Sequence, residues 1–80
     1  MKITVLYFAS LADKAGIAQE TLTLEPPVTL PELFEQLNGQ YHFGREQSQL
    51  GVAINDSFAE WSDMIEDGDQ VAFIPPVAGG

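Results

Sequence analysis

One stretch of this chain constrains the rest. In Thr29-Leu30-Pro31-Glu32-Leu33-Phe34-Glu35-Gln36-Leu37 the apolar residues Leu30, Leu33, Phe34 and Leu37 fall at i, i+3, i+4 and i+7. That spacing lays one apolar stripe along a helix. Thr29 can cap the first turn, with Glu32 as its capping-box partner, and Pro31 sits where a missing N–H costs nothing. Asn38-Gly39 is expected to close the helix. An apolar stripe must be buried against something, and most of the remaining chain alternates like strands. The spacing therefore predicts an α+β layer arrangement, one main helix on a small mixed sheet.

The strands follow from period-two patterns. From Lys2 to Phe8, Ile3, Val5 and Tyr7 alternate with Thr4, Leu6 and Phe8, and both faces turn apolar toward the end. This predicts a central strand covered on both sides. Ser10 to Gly16 reads as a short helix, with Ser10 as N-cap and Gly16 as stop. In Gln19 to Leu24 the threonines Thr21 and Thr23 oppose Leu22 and Leu24, and Pro26-Pro27 ends the strand. Gln40 to Gln49 is polar and predicts a surface loop. Gly51 to Ile54 and Phe58 to Trp61 read as a hairpin turning at Asn55-Asp56. Glu66-Asp67-Gly68-Asp69 is a tight turn before a last strand, Gln70 to Ile74. There Val71 and Phe73 share one face, Ala72 and Ile74 the other. The pattern leaves strand order open.

Composition narrows the function. An 80-residue chain is one domain, here a body over 1–74 and a tail over 75–80. With no cysteine, disulfides, thiolate metal sites and cysteine nucleophiles are excluded. The formal net charge is −9, with Lys2, Lys14 and Arg45 the only cations besides His42 when protonated, so neither nucleic acid nor an anionic membrane is an expected partner. The N-terminal apolar run lacks the flanks of a signal peptide, and no run approaches the roughly 20 apolar residues of a membrane span. A cytoplasmic protein is expected. His42 has no nucleophile beside it, and Ser57 and Ser62 have no base. Asp63, Glu66, Asp67 and Asp69 do not match the EF-hand spacing, so no metal is expected. No glycine-rich phosphate loop is present, so no cofactor is expected on this chain and any ATP must be held by a partner.

The tail is the unusual feature. Pro75-Pro76-Val77-Ala78-Gly79-Gly80 favours an extended arm reaching about 20 Å. Gly79 and Gly80, lacking Cβ atoms, can thread a narrow channel. A carboxylate at the tip is a poor electrophile, but an ATP-using partner could convert it to an acyl-adenylate open to attack by a sulfur donor or an amine. The alternative is a frayed end with no role.

The opening Met-Lys-Ile-Thr-Val-Leu-Tyr-Phe-Ala, the run Gly68-Asp69-Gln70-Val71-Ala72-Phe73-Ile74-Pro75-Pro76-Val77 and the Gly79-Gly80 end resemble the small subunits of molybdopterin synthase. These are ubiquitin-like β-grasp sulfur carriers, and the resemblance spans nearly the whole chain. It implies that a ubiquitin-activating-type adenylyltransferase adenylates the Gly80 carboxylate. Conversion to a thiocarboxylate follows. The tail then enters the large subunit of molybdopterin synthase, which holds the catalytic residues, and sulfur passes to cyclic pyranopterin monophosphate. The implied synthase is a heterotetramer of two small and two large subunits. Phe8, Phe58 and Ile74 fall where the family makes apolar partner contacts; Ile74 alternates with Phe73, and only one of the two need face the core, whereas Phe8 and Phe58 could equally be core residues. Two positions depart from the pattern. The family commonly has a basic residue near Ala12, where only Lys14 is available, and Ala78 replaces a frequent threonine or serine. Related readings are a carrier for thiamin thiazole or tRNA thiolation, and a ubiquitin-like modifier forming isopeptide bonds.

Overall fold

The computed structural model describes residues 1–75. In chain order the elements are β1 (Lys2–Tyr7), α1 (Ser10–Ala15), β2 (Gln19–Thr23), α2 (Leu30–Tyr41), a single 3-10 turn (Gln47–Gln49), β3 (Gly51–Ile54), β4 (Ser57–Ala59) and β5 (Gln70–Ile74). The strands form one mixed sheet in the order β2-β1-β5-β3-β4. The central pair, β1 and β5, is parallel, with Val5 opposite Val71 and Tyr7 opposite Phe73. The flanking pairs are antiparallel. A parallel pair cannot be closed by a hairpin, so α2 and the β3–β4 hairpin lie between its two strands in sequence.

Alternation sorts the side chains by face. Ile3, Val5 and Tyr7 of β1, Val52 of β3 and Val71 and Phe73 of β5 are buried in one cluster with Leu30, Leu33, Phe34 and Leu37 of α2. The predicted helical stripe is thus the helix side of the core. Phe34 lies 5.5 Å from Phe73 between ring centroids. The N-terminus of α2 is held as expected: the Thr29 hydroxyl accepts from the Glu32 N–H at 3.3 Å, and the Glu32 carboxylate accepts from the Thr29 N–H at 2.9 Å.

Four expectations change. First, α2 runs through Asn38-Gly39 to Tyr41 and stops at His42, which adopts a left-handed conformation with φ 57° and donates its N–H to the Asn38 carbonyl. Asn38 is occupied otherwise, its side-chain oxygen accepting from the Phe43 N–H at 3.0 Å. This bond draws Phe43 into the core, so the segment read as a polar surface loop contains a buried anchor. Second, Ser10 does not cap α1. Ala9 occupies the N-cap position at φ 49°, and the buried Ser10 hydroxyl has no partner among the described residues. Gly16 does end that helix, at φ 77°. Third, β4 ends at Ala59. Trp61 leaves the sheet and stacks on Phe73 at 5.8 Å. Fourth, β1 is central but only one of its faces is covered. The buried side chains of α1 and α2 all join the same cluster, and on the other face Leu6 is left half-buried.

Candidate functional site: the open sheet face and the exit of the tail

The uncovered face can be read from the register. Leu6 of β1 pairs with Ala72 of β5, Ala72 with Ala53 of β3, and Ala53 with Phe58 of β4. Residues paired across a sheet share a face, so these four form one apolar row across four strands. One step along, Ile74 pairs with Gly51, and Phe8 follows Tyr7, the partner of Phe73. Phe8 and Ile74 therefore stand at neighbouring register positions. The three apolar residues singled out in sequence lie away from the helix-packed core. Phe8 is 47% exposed, Phe58 85%, and Ile74 half-buried, whereas Phe73 is fully buried. Alternation alone left Phe73 and Ile74 exchangeable; the parallel register with Tyr7 puts Phe73 inside.

Two turns fix the far edge of this face. Asn55 and Asp56 both have positive φ, 51° and 68°, the geometry of the tight two-residue hairpin turn. The Asn55 amide donates to the Asp69 carboxylate at 3.0 Å, and its side-chain oxygen accepts from the Gln70 N–H at 2.9 Å. Asp69, the buried acid, also accepts from the Glu66 N–H at 2.8 Å. Asp67 accepts from the Lys2 N–H at 2.7 Å, and Gly68 takes φ 87°. Of the acids that might have suggested calcium, Asp67 and Asp69 thus bind backbone N–H groups and tie β5 to β1 and β3, and Asp63 accepts locally from the Glu60 N–H.

At the opposite edge, Glu20 of β2 accepts hydrogen bonds from the hydroxyls of Tyr7, at 2.5 Å, and Tyr41, at 2.7 Å. Burial, then the Glu20 contact, pushes the Tyr7 phenol far above its ordinary value; for Tyr41 the Glu20 hydrogen bond is the leading cause of a rise. Sequence reading missed this triad because its members lie on three elements. It stiffens the body and leaves both phenols neutral.

The last described residue is the buried Pro75, at the end of β5. The candidate tail residues Pro76, Val77, Ala78, Gly79 and Gly80 lie outside the described residues. Ala12 and Lys14, on α1, sit half-buried and exposed respectively. No described helix is long and apolar enough to cross a membrane.

A sheet in the order β2-β1-β5-β3-β4, with a parallel central pair and one main helix, defines a ubiquitin-like β-grasp domain. Within that class the chain belongs to the ThiS family, whose family model matches residues 5–80. A molybdopterin synthase sulfur carrier subunit of Aspergillus niger is 38% identical, over 92% of this chain and 89% of that protein. One of Mycobacterium tuberculosis is 34% identical, over 100% and 99%. Among solved structures, small archaeal modifier protein 1 of Haloferax volcanii superposes with TM-score 0.76 at 22% identity, covering 95% and 98% of the two chains. A chain from the complex of subunits 1 and 2 of the molybdopterin-converting factor of Helicobacter pylori gives TM-score 0.69 at 22% identity, covering 100% of both. These last two speak to the fold.

Proposed function

We propose that the chain is the sulfur carrier subunit of a molybdopterin synthase and that the carboxylate of Gly80 carries the sulfur. The observation that carries this reading is the near full-length similarity, at 34% and 38% identity, to relatives named for that role. The open apolar face supports it from a second side. Leu6, Phe8, Phe58 and Ile74 form a surface that a protein partner would cover, beside the strand from which the tail leaves. The partner proposed for that face is the large synthase subunit, by analogy with the two-subunit complex of Helicobacter pylori.

The chemistry follows from the carboxylate. A partner adenylyltransferase joins it to AMP and releases pyrophosphate, which replaces an oxide leaving group by a phosphate ester. Attack by a sulfur donor expels AMP and leaves a terminal thiocarboxylate. Sulfur, the softer and more nucleophilic atom, then attacks a carbon of cyclic pyranopterin monophosphate in the large subunit, and the oxygen that this carbon bore departs as the C–S bond forms. Hydrolysis of the resulting thioester returns the carboxylate. The body contributes grip and aim.

Intact-mass spectrometry tests the proposal directly. After incubation with the activating enzyme, ATP and a sulfur donor, the chain should gain the mass of an oxygen-to-sulfur exchange at its last residue. Covalent conjugates to lysines of other proteins, with no such exchange, would instead favour an isopeptide-forming modifier, the reading that the Haloferax volcanii structure keeps in view.

A further inference from the structure

Two hollows meet at Met64. The first, of about 480 Å³, lies between the start of α2 and the β4–β5 loop, with Val28, Pro31, Trp61, Met64 and Ile65 in its wall. The second lies beside the β3–β4 hairpin and is walled by Ile54, Phe58 and Met64. Met64 is 83% exposed and Phe58 85%. Phe58 also belongs to the open sheet face, in register with Ala53. A path therefore runs from that face, around the β4 edge, to the N-terminal end of α2, with Phe58 and Met64 as exposed apolar points and Asn55, Ser57 and the acids between them.

Charge along the path has one sign. The ionisable residues lining the first hollow are Glu32 and Asp63, and those lining the second are Asp63, Glu66 and Asp69. None of Lys2, Lys14 or Arg45 lines either hollow. Glu32 and Asp63 each use one carboxylate oxygen on a local backbone N–H, from Thr29 and Glu60, both at 2.9 Å. The other oxygen of each has no hydrogen bond among the described residues, which leaves it for an incoming ammonium or guanidinium.

We propose that this groove takes a basic segment with apolar anchors, contributed by the same partner that covers the open sheet face. The inference rests on the reading that a large synthase subunit covers that face. An unbranched, polarizable methionine adapts to an apolar anchor, and the acidic rim selects cationic neighbours for it and speeds encounter. The first hollow lies at the start of α2, so it adds contacts that the sheet face cannot supply.

Titration calorimetry of the purified large subunit against the wild-type chain and three variants tests this, with circular dichroism to verify folding. Met64→Lys should weaken binding about tenfold or more, through repulsion of the basic segment. Met64→Glu should weaken it less, because the lost apolar contact is partly offset by attraction, and wild-type affinity should fall as salt rises. Phe8→Asp probes the sheet face independently. Wild-type affinity in Met64→Lys, with binding lost in Phe8→Asp, overturns the groove and leaves the face reading intact. Equal losses in Met64→Lys and Met64→Glu overturn the cationic chemistry. Wild-type affinity in all three variants overturns the partner reading itself.

Discussion

At the scale of single residues, side chains of similar composition do different work because of where the register puts them. Ile74 and Phe73 are neighbours, yet Phe73 touches Phe34 and Trp61 in the core while Ile74 faces away from α2. Ile74→Glu should therefore reduce capture by the large subunit at least about tenfold. Its unfolding midpoint should move much less than that of Phe73→Ala, for which truncation of a buried phenylalanine costs about 3–5 kcal/mol. A thermal melt beside a binding titration separates the two effects. Glu20 offers a second test. It accepts from both Tyr7 and Tyr41, and Tyr7→Phe should cost about 1.5 kcal/mol in urea unfolding at neutral pH. The sign with pH follows from the raised phenols. A group whose folded value is raised contributes stability that is complete below its unfolded value and is lost as pH climbs toward the folded one. Wild-type stability should thus decline above about pH 10, the ordinary tyrosine value, and the decline should be shallower in Tyr7→Phe.

Among the elements, α2 shows what local sequence can and cannot specify. Its start was legible because a capping box is written within four consecutive residues, Thr29 to Glu32, and its partners cannot be elsewhere. Thr29→Ala should lower stability by about 1 kcal/mol, read from denaturant midpoints at neutral pH. The Thr29 N–H hydrogen bond holds the Glu32 carboxyl below its ordinary value. A lowered group contributes stability above its unfolded value and loses it as pH falls. The acid limb beginning near about pH 4.3 should therefore be less steep in Glu32→Gln. The end of α2 was not legible. Asn38-Gly39 resembles a stop, but Asn38 spends its side chain on Phe43 and Tyr41 reaches Glu20 across the chain, contacts invisible to a local window. Asn38→Ala should release Phe43 and destabilise the chain by about 1–3 kcal/mol. Likewise Ser10 had the composition of a cap, yet the turn at Ala9 places the hydroxyl away from the first N–H groups. The open sheet face was half legible: the strand pattern read Leu6 and Phe8 as covered, because a period-two pattern reports apolarity and not what covers it, and only the resemblance offered Phe8 as a partner contact.

In the whole molecule, the proposed division of labour makes the body and the tail separable, and that is open to test. Among the described residues the hydrophobic cluster runs from Ile3 to Phe73, and Pro75 is the last buried position. Deleting Gly79 and Gly80 removes none of the residues of that cluster and should leave the unfolding free energy within about 0.5 kcal/mol of wild type. The same deletion should abolish thiocarboxylate formation, because adenylation needs a carboxylate at a fixed reach from the surface that the activating partner grips. A variant amidated at Gly80 sharpens the point. It keeps length and glycines, and changes only the terminal group, one oxygen giving way to NH2 and the negative charge being lost. Transfer surviving amidation would mean that sulfur is carried elsewhere, and with no cysteine in the chain there is no thiol to carry it. Transfer lost in the amidated chain but retained after extension by one glycine would place the requirement on the carboxylate rather than on the exact reach of the arm. Binding of the large subunit should survive both changes through the apolar face, weakened by the share that the tail contributes.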